Sequence, residues 1–282
     1  MRTIETGTDD LLAHVDQGVA TLVMNRPNRR NALSIAMTDA MAAVLAQVET
    51  DDEVGCVVLT GAGGAFCAGG DVKSMTAGDE ATEGSESGGT AARRHTYDEM
   101  VHLQRLNQRQ TSGRLYEMPK PTIAAIGGAA AGAGLSLALA CDLRYGAESA
   151  LLTTAFARVA FAGDYGGTWF LTRLVGTSRA RELYYLSPRV SASEAEHLGL
   201  VNAVFPDDRL EQEVSAIARR LAAGPRVAYR YMKENLNRAV IGELGECLDL
   251  EAAHHIRTGL TEDHKEAATA FVEKREPVFK GR

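Results

Sequence analysis

The sequence predicts an α/β fold followed by a helical tail, and three observations carry that prediction. A unit of strand, glycine-rich loop and helix recurs at Val57–Val72, Ile123–Leu137 and Leu151–Trp169, the alternation that builds α/β proteins. The stretch Asp208–Arg282 holds no convincing strand pattern. Of 282 residues, 45% are hydrophobic and 24% charged, a globular composition that excludes a disordered or fibrous chain. Alternation alone leaves open whether the strands form a doubly wound sheet or a spiral of stacked β-β-α turns.

Taken in order, the apolar runs Leu11–Val15 and Val19–Met24 flank Asp16-Gln17-Gly18 and predict a hairpin, with Gly18 free to adopt a positive φ. Arg26-Pro27-Asn28 ends the second strand. Ser34 is placed to cap a helix whose apolar residues Met37, Met41, Val44, Leu45 and Val48 recur at helical spacing. Val54–Thr60 reads as a fully buried strand leading into a glycine-rich loop. Thr76–Thr90 contains almost nothing large and is expected to be a mobile loop. A helical pattern spans Tyr97–Tyr116. Pro119 and Pro121 introduce a strand at Thr122–Ile126, and the loop Gly127–Gly134 opens a helix bearing Leu135, Leu137 and Leu139. Strands are expected near Leu143–Tyr145 and Ala150–Thr153, a helix at Trp169–Val175 and a short strand near Val201–Phe205.

Several functions are disfavoured at once. Net charge is −7 with no long basic block, so nucleic acid is not an expected ligand. The cysteines Cys56, Cys67, Cys141 and Cys247 form no C-x-x-C pair and read as free buried thiols of a reducing, cytoplasmic compartment. The acidic N-terminus lacks the apolar run of a secretory signal. Thr122–Cys141 carries no charge, but its Ala and Gly content suits a buried strand, turn and helix better than a membrane span. Adjacent His254 and His255 point apart on a helix and do not suggest a metal site. No dinucleotide or P-loop glycine motif occurs.

Two glycine loops each precede a helix: Ala65–Asp71 and Gly127–Gly134. Small residues let a ligand approach the backbone, and amides at a helix start are free donors. Two such loops can present two N–H groups to one carbonyl oxygen, an arrangement that stabilises an oxyanion. The same residues equally suit two tight turns whose glycines serve only packing.

Four ordered blocks resemble the crotonase superfamily, the enoyl-CoA hydratase/isomerase family. They are N-R-P-N-R-R-N-A-L-S (Asn25–Ser34), A-F-C-A-G-G-D-V-K (Ala65–Lys73), P-K-P-T-I-A-A-I-G-G-A-A-A-G-A-G-L-S-L-A-L-A-C-D (Pro119–Asp142) and G-D-Y-G-G-T-W-F-L-T-R-L-V-G (Gly163–Gly176). The tail Ala270–Gly281 also fits. The resemblance implies a ClpP/crotonase-type spiral over residues 1–206 and a helical C-terminal oligomerisation region over 207–282, with a homotrimer or a dimer of trimers as the assembly. It implies an acyl-CoA thioester as substrate, with coenzyme A entering as part of that substrate and no separate cofactor, metal or membrane partner. By the same matching, the amides of Gly70 and Ala133 hold the thioester oxygen. Arg30, Ala68, Asp71, Val72 and Lys73 line the coenzyme A side, with Arg30 and Lys73 as phosphate or ribose contacts. Tyr97 and Met100 border the acyl pocket, and Phe271 and Lys274 approach a neighbour's coenzyme A.

The chain departs from the family's hydratases at the two positions that carry glutamate there. Here they are Ser136 and Phe156. A serine hydroxyl is too weak a base to activate water unaided. One acid remains in a suggestive place, Asp164 in A-G-D-Y-G-G-T-W. The resemblance is therefore to isomerase members, in which an aspartate at this loop shuttles a proton, including the 3,2-enoyl-CoA, dienoyl-CoA and 1,2-epoxyphenylacetyl-CoA types. Burial beside Trp169, Phe156 and Phe161 would raise the Asp164 pKa. Alternatively, Asp164 is an N-cap for the helix beginning near Gly166. A hydratase with atypical water activation and a catalytically silent coenzyme A binder remain the competing readings.

Overall fold

A computed structural model describes residues 1–71 and 95–282. The chain opens with β1 (Arg2–Ile4), then the expected hairpin of β2 (Leu11–Asp16) and β3 (Val19–Met24). Its turn places both Gln17 (φ 47°) and Gly18 (φ 78°) in the left-handed region, as a two-residue hairpin turn requires. Ser34 Oγ accepts the Met37 N–H (3.1 Å) and caps α1 (Ile35–Thr50), which buries Met37, Met41, Val44, Leu45 and Val48. β4 (Cys56–Gly61) and β5 (Ala65–Cys67) follow. α2 (Tyr97–Gln108) continues through a π-helical turn at Arg109–Gly113 into Arg114–Glu117. The remaining strands are β6 (Thr122–Ile126), β7 (Ala129–Ala131), β8 (Leu143–Ala147), β9 (Leu151–Thr153), β10 (Val190–Ser191) and β11 (Ala203–Phe205). The remaining helices are α3 (Ala133–Ala140), α4 (Gly167–Leu186), α5 (Ala192–His197), α6 (Leu210–Ala222), α7 (Arg226–Ala239), α8 (Leu244–Gly259) and α9 (Glu262–Glu273).

Strand order settles the topology that alternation left open. One sheet runs β1-β2-β3-β4-β6-β8-β11 and a second runs β10-β9-β7-β5. The pairs β4/β5, β6/β7 and β8/β9 each give one strand to each sheet before the chain moves on, so the core is a spiral of β-β-α turns. Within each sheet, the strands from successive turns pair in parallel.

Both faces of the larger sheet are covered, as parallel strands demand. Val57, Leu59, Ala124 and Ile126 face the main core with α1, α3 and the second sheet. The alternate residues Cys56, Val58, Ile123 and Ala125 pack under Leu210, Val214 and Ala218 of α6. All eight residues of α3 are buried, so the uncharged stretch Thr122–Cys141 is a strand, a glycine turn and a core helix. Among the described residues, no helix is long and apolar enough to cross a membrane. Cys56, Cys67 and Cys141 are buried free thiols pushed up to about 12 by burial, whereas Cys247 is only half-buried. α7 is fastened to the spiral by the buried Lys233, which donates to Leu115 O (3.0 Å), Lys120 O (3.1 Å) and Asp142 Oδ2 (2.8 Å).

Some expectations need correction. The loop Gly127–Gly134 contains a strand, β7, because Ala129–Ala131 pairs with β5 and β9. The helix expected at Trp169–Val175 extends over Gly167–Leu186, broken at Gly176 (φ 75°, ψ 168°). β1 and β10 are additional strands, held by pairing with β2 and β9. The stretch Thr76–Thr90 lies outside the described residues.

The β4–β5 and β6–β7 connections of successive turns run so close together that a Cβ at Gly128 would sit 2.1 Å from Gly64 O. The obstacle is backbone and cannot swing away. Gly128→Ala is expected to lower stability by about 1–3 kcal/mol in chemical denaturation, whereas alanine at Gly245, where a Cβ meets nothing within 4 Å, costs well under that.

Candidate functional site

The first glycine loop leaves β5 through Ala68-Gly69-Gly70. Gly69 has φ +90°, and a Cβ there would lie 2.9 Å from Ala131 O. The segment Arg30–Leu33 holds this loop in place. Ala68 N–H donates to Arg30 O (2.9 Å), and Leu33 N–H donates to Gly69 O (2.8 Å). That segment is itself shaped by Asn31, fully buried and left-handed (φ 56°). Its carboxamide accepts from Arg26 N–H (2.9 Å) and donates to Ala62 O and Ala65 O (both 2.8 Å). Sequence reasoning did not single out Asn31, yet it is a fully bonded polar group at the base of the loop.

The second loop passes from β7 through Gly132 (φ 53°) into α3. Ala133 is the first helical residue, so its N–H has no acceptor within the helix. The two loops touch. A Cβ on Gly69 would be 3.4 Å from Ala133 N, and a Cβ on Gly132 would be 3.9 Å from Gly69 Cα. Among the described residues, no carbonyl accepts the N–H of either Gly70 or Ala133. The loops that carry the two expected amides thus come from two successive β-β-α turns and touch at Gly69 and Gly132.

Asp164 lies in the loop before α4. The backbone there is left-handed at Gly163 (φ 110°), Tyr165 (φ 49°) and Gly166 (φ 76°). Tyr165 ties the loop to α2: its N–H donates to Gln108 Oε1 (2.5 Å) and its hydroxyl to Asn107 Oδ1 (2.8 Å). The alternative role as helix cap is not seen. Gly166 occupies the N-cap position, and no side chain bonds there. Asp164 Oδ1 is instead buried without a hydrogen-bond partner among the described residues. Desolvation alone lifts its carboxyl to about 6 from 3.8. Its electrostatic neighbours include Cys67, at the root of the first loop, with Tyr165 and Tyr184. Of the residues expected to bury it, Phe156 is buried, but Phe161 is 56% exposed and forms no wall. Trp169 packs on Tyr116 and Phe170.

Ser136 is buried, with its hydroxyl reaching only Gly132 O (3.3 Å) in its own helix. Phe156 stacks on Tyr184 with ring centroids 5.8 Å apart. Tyr184 was not singled out from the sequence. Asp71 forms an ion pair with Arg26 (3.1 Å), which also pairs with Asp10 (3.5 Å). Arg30 is exposed in a left-handed conformation, and Ala68 is half-buried. Val72 and Lys73 lie outside the described residues. Tyr97, Met100 and Phe271 stand exposed. The largest cavity described, about 1020 Å³, lies between Tyr116, Trp169 and Phe170 on one side and α7 and α8 on the other. Gly70, Ala133 and Asp164 do not line it, but Gly166 does.

Comparison with known proteins follows this geometry. Residues 14–282 match the family model described as enoyl-CoA hydratase/isomerase. The 1,2-epoxyphenylacetyl-CoA isomerase of Escherichia coli is 37% identical over 96% of this chain and 98% of its own length. The mitochondrial enoyl-CoA hydratase of Pongo abelii is 34% identical over 93% of this chain and 83% of its own length. The crystal structure of an enoyl-CoA hydratase from Bacillus anthracis superposes with a TM-score of 0.85 at 33% identity, covering 97% of this chain and all of that one.

The raised carboxyl makes a stability prediction. Folding favours the protonated form of Asp164, so its contribution is fullest below the unfolded value of about 4 and is lost as pH rises through about 6. Asp164→Asn removes that loss. The variant should be more stable than the parent by about 1–3 kcal/mol at pH 8, with the difference shrinking toward pH 4, in urea denaturation across that range.

Proposed function

The chain belongs to the enoyl-CoA hydratase/isomerase family, and from that premise we propose that it moves a double bond along an acyl-CoA thioester by carrying one proton on Asp164. The observation that carries this reading is Asp164 Oδ1, buried without a hydrogen-bond partner among the described residues, in a chain whose two hydratase glutamate positions are Ser136 and Phe156. Its similarity to the Escherichia coli isomerase points the same way.

In the proposed reaction the thioester oxygen sits between the amides of Gly70 and Ala133. The Asp164 carboxylate takes a proton from C2 of a 3-enoyl chain. The C–H electron pair becomes the C1–C2 double bond of a dienolate conjugated to the C3–C4 double bond, and the negative charge passes to the thioester oxygen, where the two N–H donors stabilise it. Asp164, now neutral, returns the proton at C4. The charge flows back to re-form the thioester C=O, the C1–C2 pair shifts to make the C2–C3 double bond, the former C3–C4 π pair binds the proton at C4, and nothing is gained or lost. A carboxyl group near 6 suits both steps, since it is mostly ionised at neutral pH yet readily accepts a proton. Arg30, exposed beside the first loop, would meet the coenzyme A phosphates together with Lys73, while the Arg26 ion pair of Asp71 stiffens that loop. Exposed apolar residues of α7, α8 and α9, such as Leu236, Leu248, Ile256 and Val272, suit the proposed trimer.

Asp164→Asn should lower conversion of 3-enoyl-CoA to 2-enoyl-CoA by about 10²–10⁴-fold, followed by absorbance of the conjugated thioester, with coenzyme A affinity retained. In the parent, kcat/KM should rise with pH through about 6. Equal activity in the variant would remove Asp164 from the reaction, and accumulation of 3-hydroxyacyl-CoA would point to a hydratase. A second variant tests the amide pair. Ala133 is the first residue of α3, a position where proline fits a helix and deletes only the N–H. Ala133→Pro should lower turnover by about 10²–10³-fold with unchanged far-UV circular dichroism, whereas Ala133→Gly, which keeps the donor, should stay within a few-fold of the parent.

A further inference from the structure

The loop that carries Asp164 is held in a conformation it would not keep alone. Gly163, Tyr165 and Gly166 all have positive φ, and Tyr165, at φ 49°, is not a glycine. Such a residue persists only where its surroundings hold it. Toward α4 the loop makes one backbone bond, from Gly167 N–H to Asp164 O (3.0 Å). Toward α2 it is held by side chains. Gln108 Oε1 accepts the Tyr165 N–H (2.5 Å), and Asn107 Oδ1 accepts the Tyr165 hydroxyl (2.8 Å). Both bonds close on the buried residue next to Asp164.

This clamp stands where α2 is anchored. The helix buries none of its own residues, whereas Thr111, Ser112 and Leu115 just beyond it are buried. Between them lies the π-helical turn at Arg109–Gly113, a kind of insertion found frequently at functional sites. Thr111 Oγ1 donates to Asn107 O (2.7 Å), and Ser112 Oγ donates to Gln108 O (3.0 Å). Hydroxyl bonds of this type bend a helix. The two carbonyls they engage belong to the same two residues whose side chains hold Tyr165. Four consecutive elements of the sequence, Asn107, Gln108, Thr111 and Ser112, thus serve one contact.

We propose that Gln108, supported by Asn107, is a positioning residue for the acid: it fixes the Tyr165 backbone and thereby keeps the Asp164 carboxyl dry and in register with the acyl carbons. This rests on the reading that Asp164 carries the proton. The titratable groups that interact with Asp164 are the Cys67 thiol, from β5, and the Tyr165 and Tyr184 phenols. Burial pushes all three up, so they stay neutral at and below neutral pH. Access of water is then the variable that a loosened clamp changes at Asp164.

The test removes the acceptor and then restores it. Gln108→Met keeps the length of the side chain without the oxygen, and Gln108→Glu keeps an oxygen acceptor. With a 3-enoyl-CoA, Gln108→Met should lower kcat by about tenfold to a hundredfold, with KM within a few-fold of the parent. The inflection of kcat/KM with pH should fall from about 6 toward about 4 as water reaches the carboxyl. Gln108→Glu should recover most of kcat and keep the inflection at or above about 6. Tyr165→Phe, which deletes only the bond to Asn107, should move kcat and the inflection the same way by less. An inflection that stays near 6 in Gln108→Met, or an equal loss of kcat in Gln108→Glu, overturns the assignment. Carbon-13 NMR titration of the Asp164 carboxyl reads the clamp without turnover. Its midpoint should fall in Gln108→Met, and an unmoved midpoint overturns the clamp. If Asp164→Asn proves as active as the parent, the proton-carrier reading fails, and this titration still decides whether Gln108 holds the acid.

Discussion

The arrangement depends on how closely the backbones of successive turns can approach each other. Gly128 lies over the carbonyl of Gly64, Gly69 against that of Ala131, and Gly134 against that of Cys67. Each contact is shorter than any side chain would allow, so β5, β7 and the start of α3 are locked at one separation. That separation brings the loop through Gly69 against the start of α3, where a Cβ on Gly69 would lie 3.4 Å from Ala133 N. The Asn31 carboxamide, with bonds to Arg26, Ala62 and Ala65, fastens the first loop from the opposite side. Small residues here are a geometric requirement of the spiral.

Against this rigid frame the acid is set in a different way. Asp164 stands on a left-handed loop tied to α2 through Tyr165, and nothing among the described residues neutralises it. Desolvation is therefore the cause of its raised pKa. A neighbouring cation would have lowered it and made it a poor proton acceptor. Replacing the hydratase glutamates by Ser136 and Phe156 removes the second carboxylate that would couple to it. Phe156 also acts as the aromatic surface that orients Tyr184.

Much of the fold was legible because it is written locally. The Ser34 cap and the apolar spacing of α1 need only neighbouring residues, and the hairpin turn at Gln17-Gly18 is set by its own backbone. The alternation of Val57 and Leu59 with Cys56 and Val58 makes β4 readable as buried on both faces. What was hidden depends on partners distant in sequence. β1 and β10 are short strands held only by pairing with β2 and β9, and β7 is an alanine triplet that looks like loop. The extension of α4 past Gly176 escaped notice because a positive-φ glycine reads as a stop. The glycine loops and Asp164 could be found from motif resemblance. The choice between acid and helix cap could not, because it turns on which residue occupies the N-cap. Tyr184 has no local signature at all. It meets Phe156 and Gly163 from the part of α4 beyond the break at Gly176.

The central claim is that one carboxyl group lifts a proton from C2 and sets it down at C4. It is tested most directly by incubating a 3-enoyl-CoA deuterated at C2 in ordinary water and locating the label in the product by mass spectrometry and NMR. The account predicts 2-enoyl-CoA with part of the deuterium moved to C4, and no such transfer with Asp164→Asn. A product heavier by one water, or label transfer that persists without the Asp164 carboxylate, would contradict it.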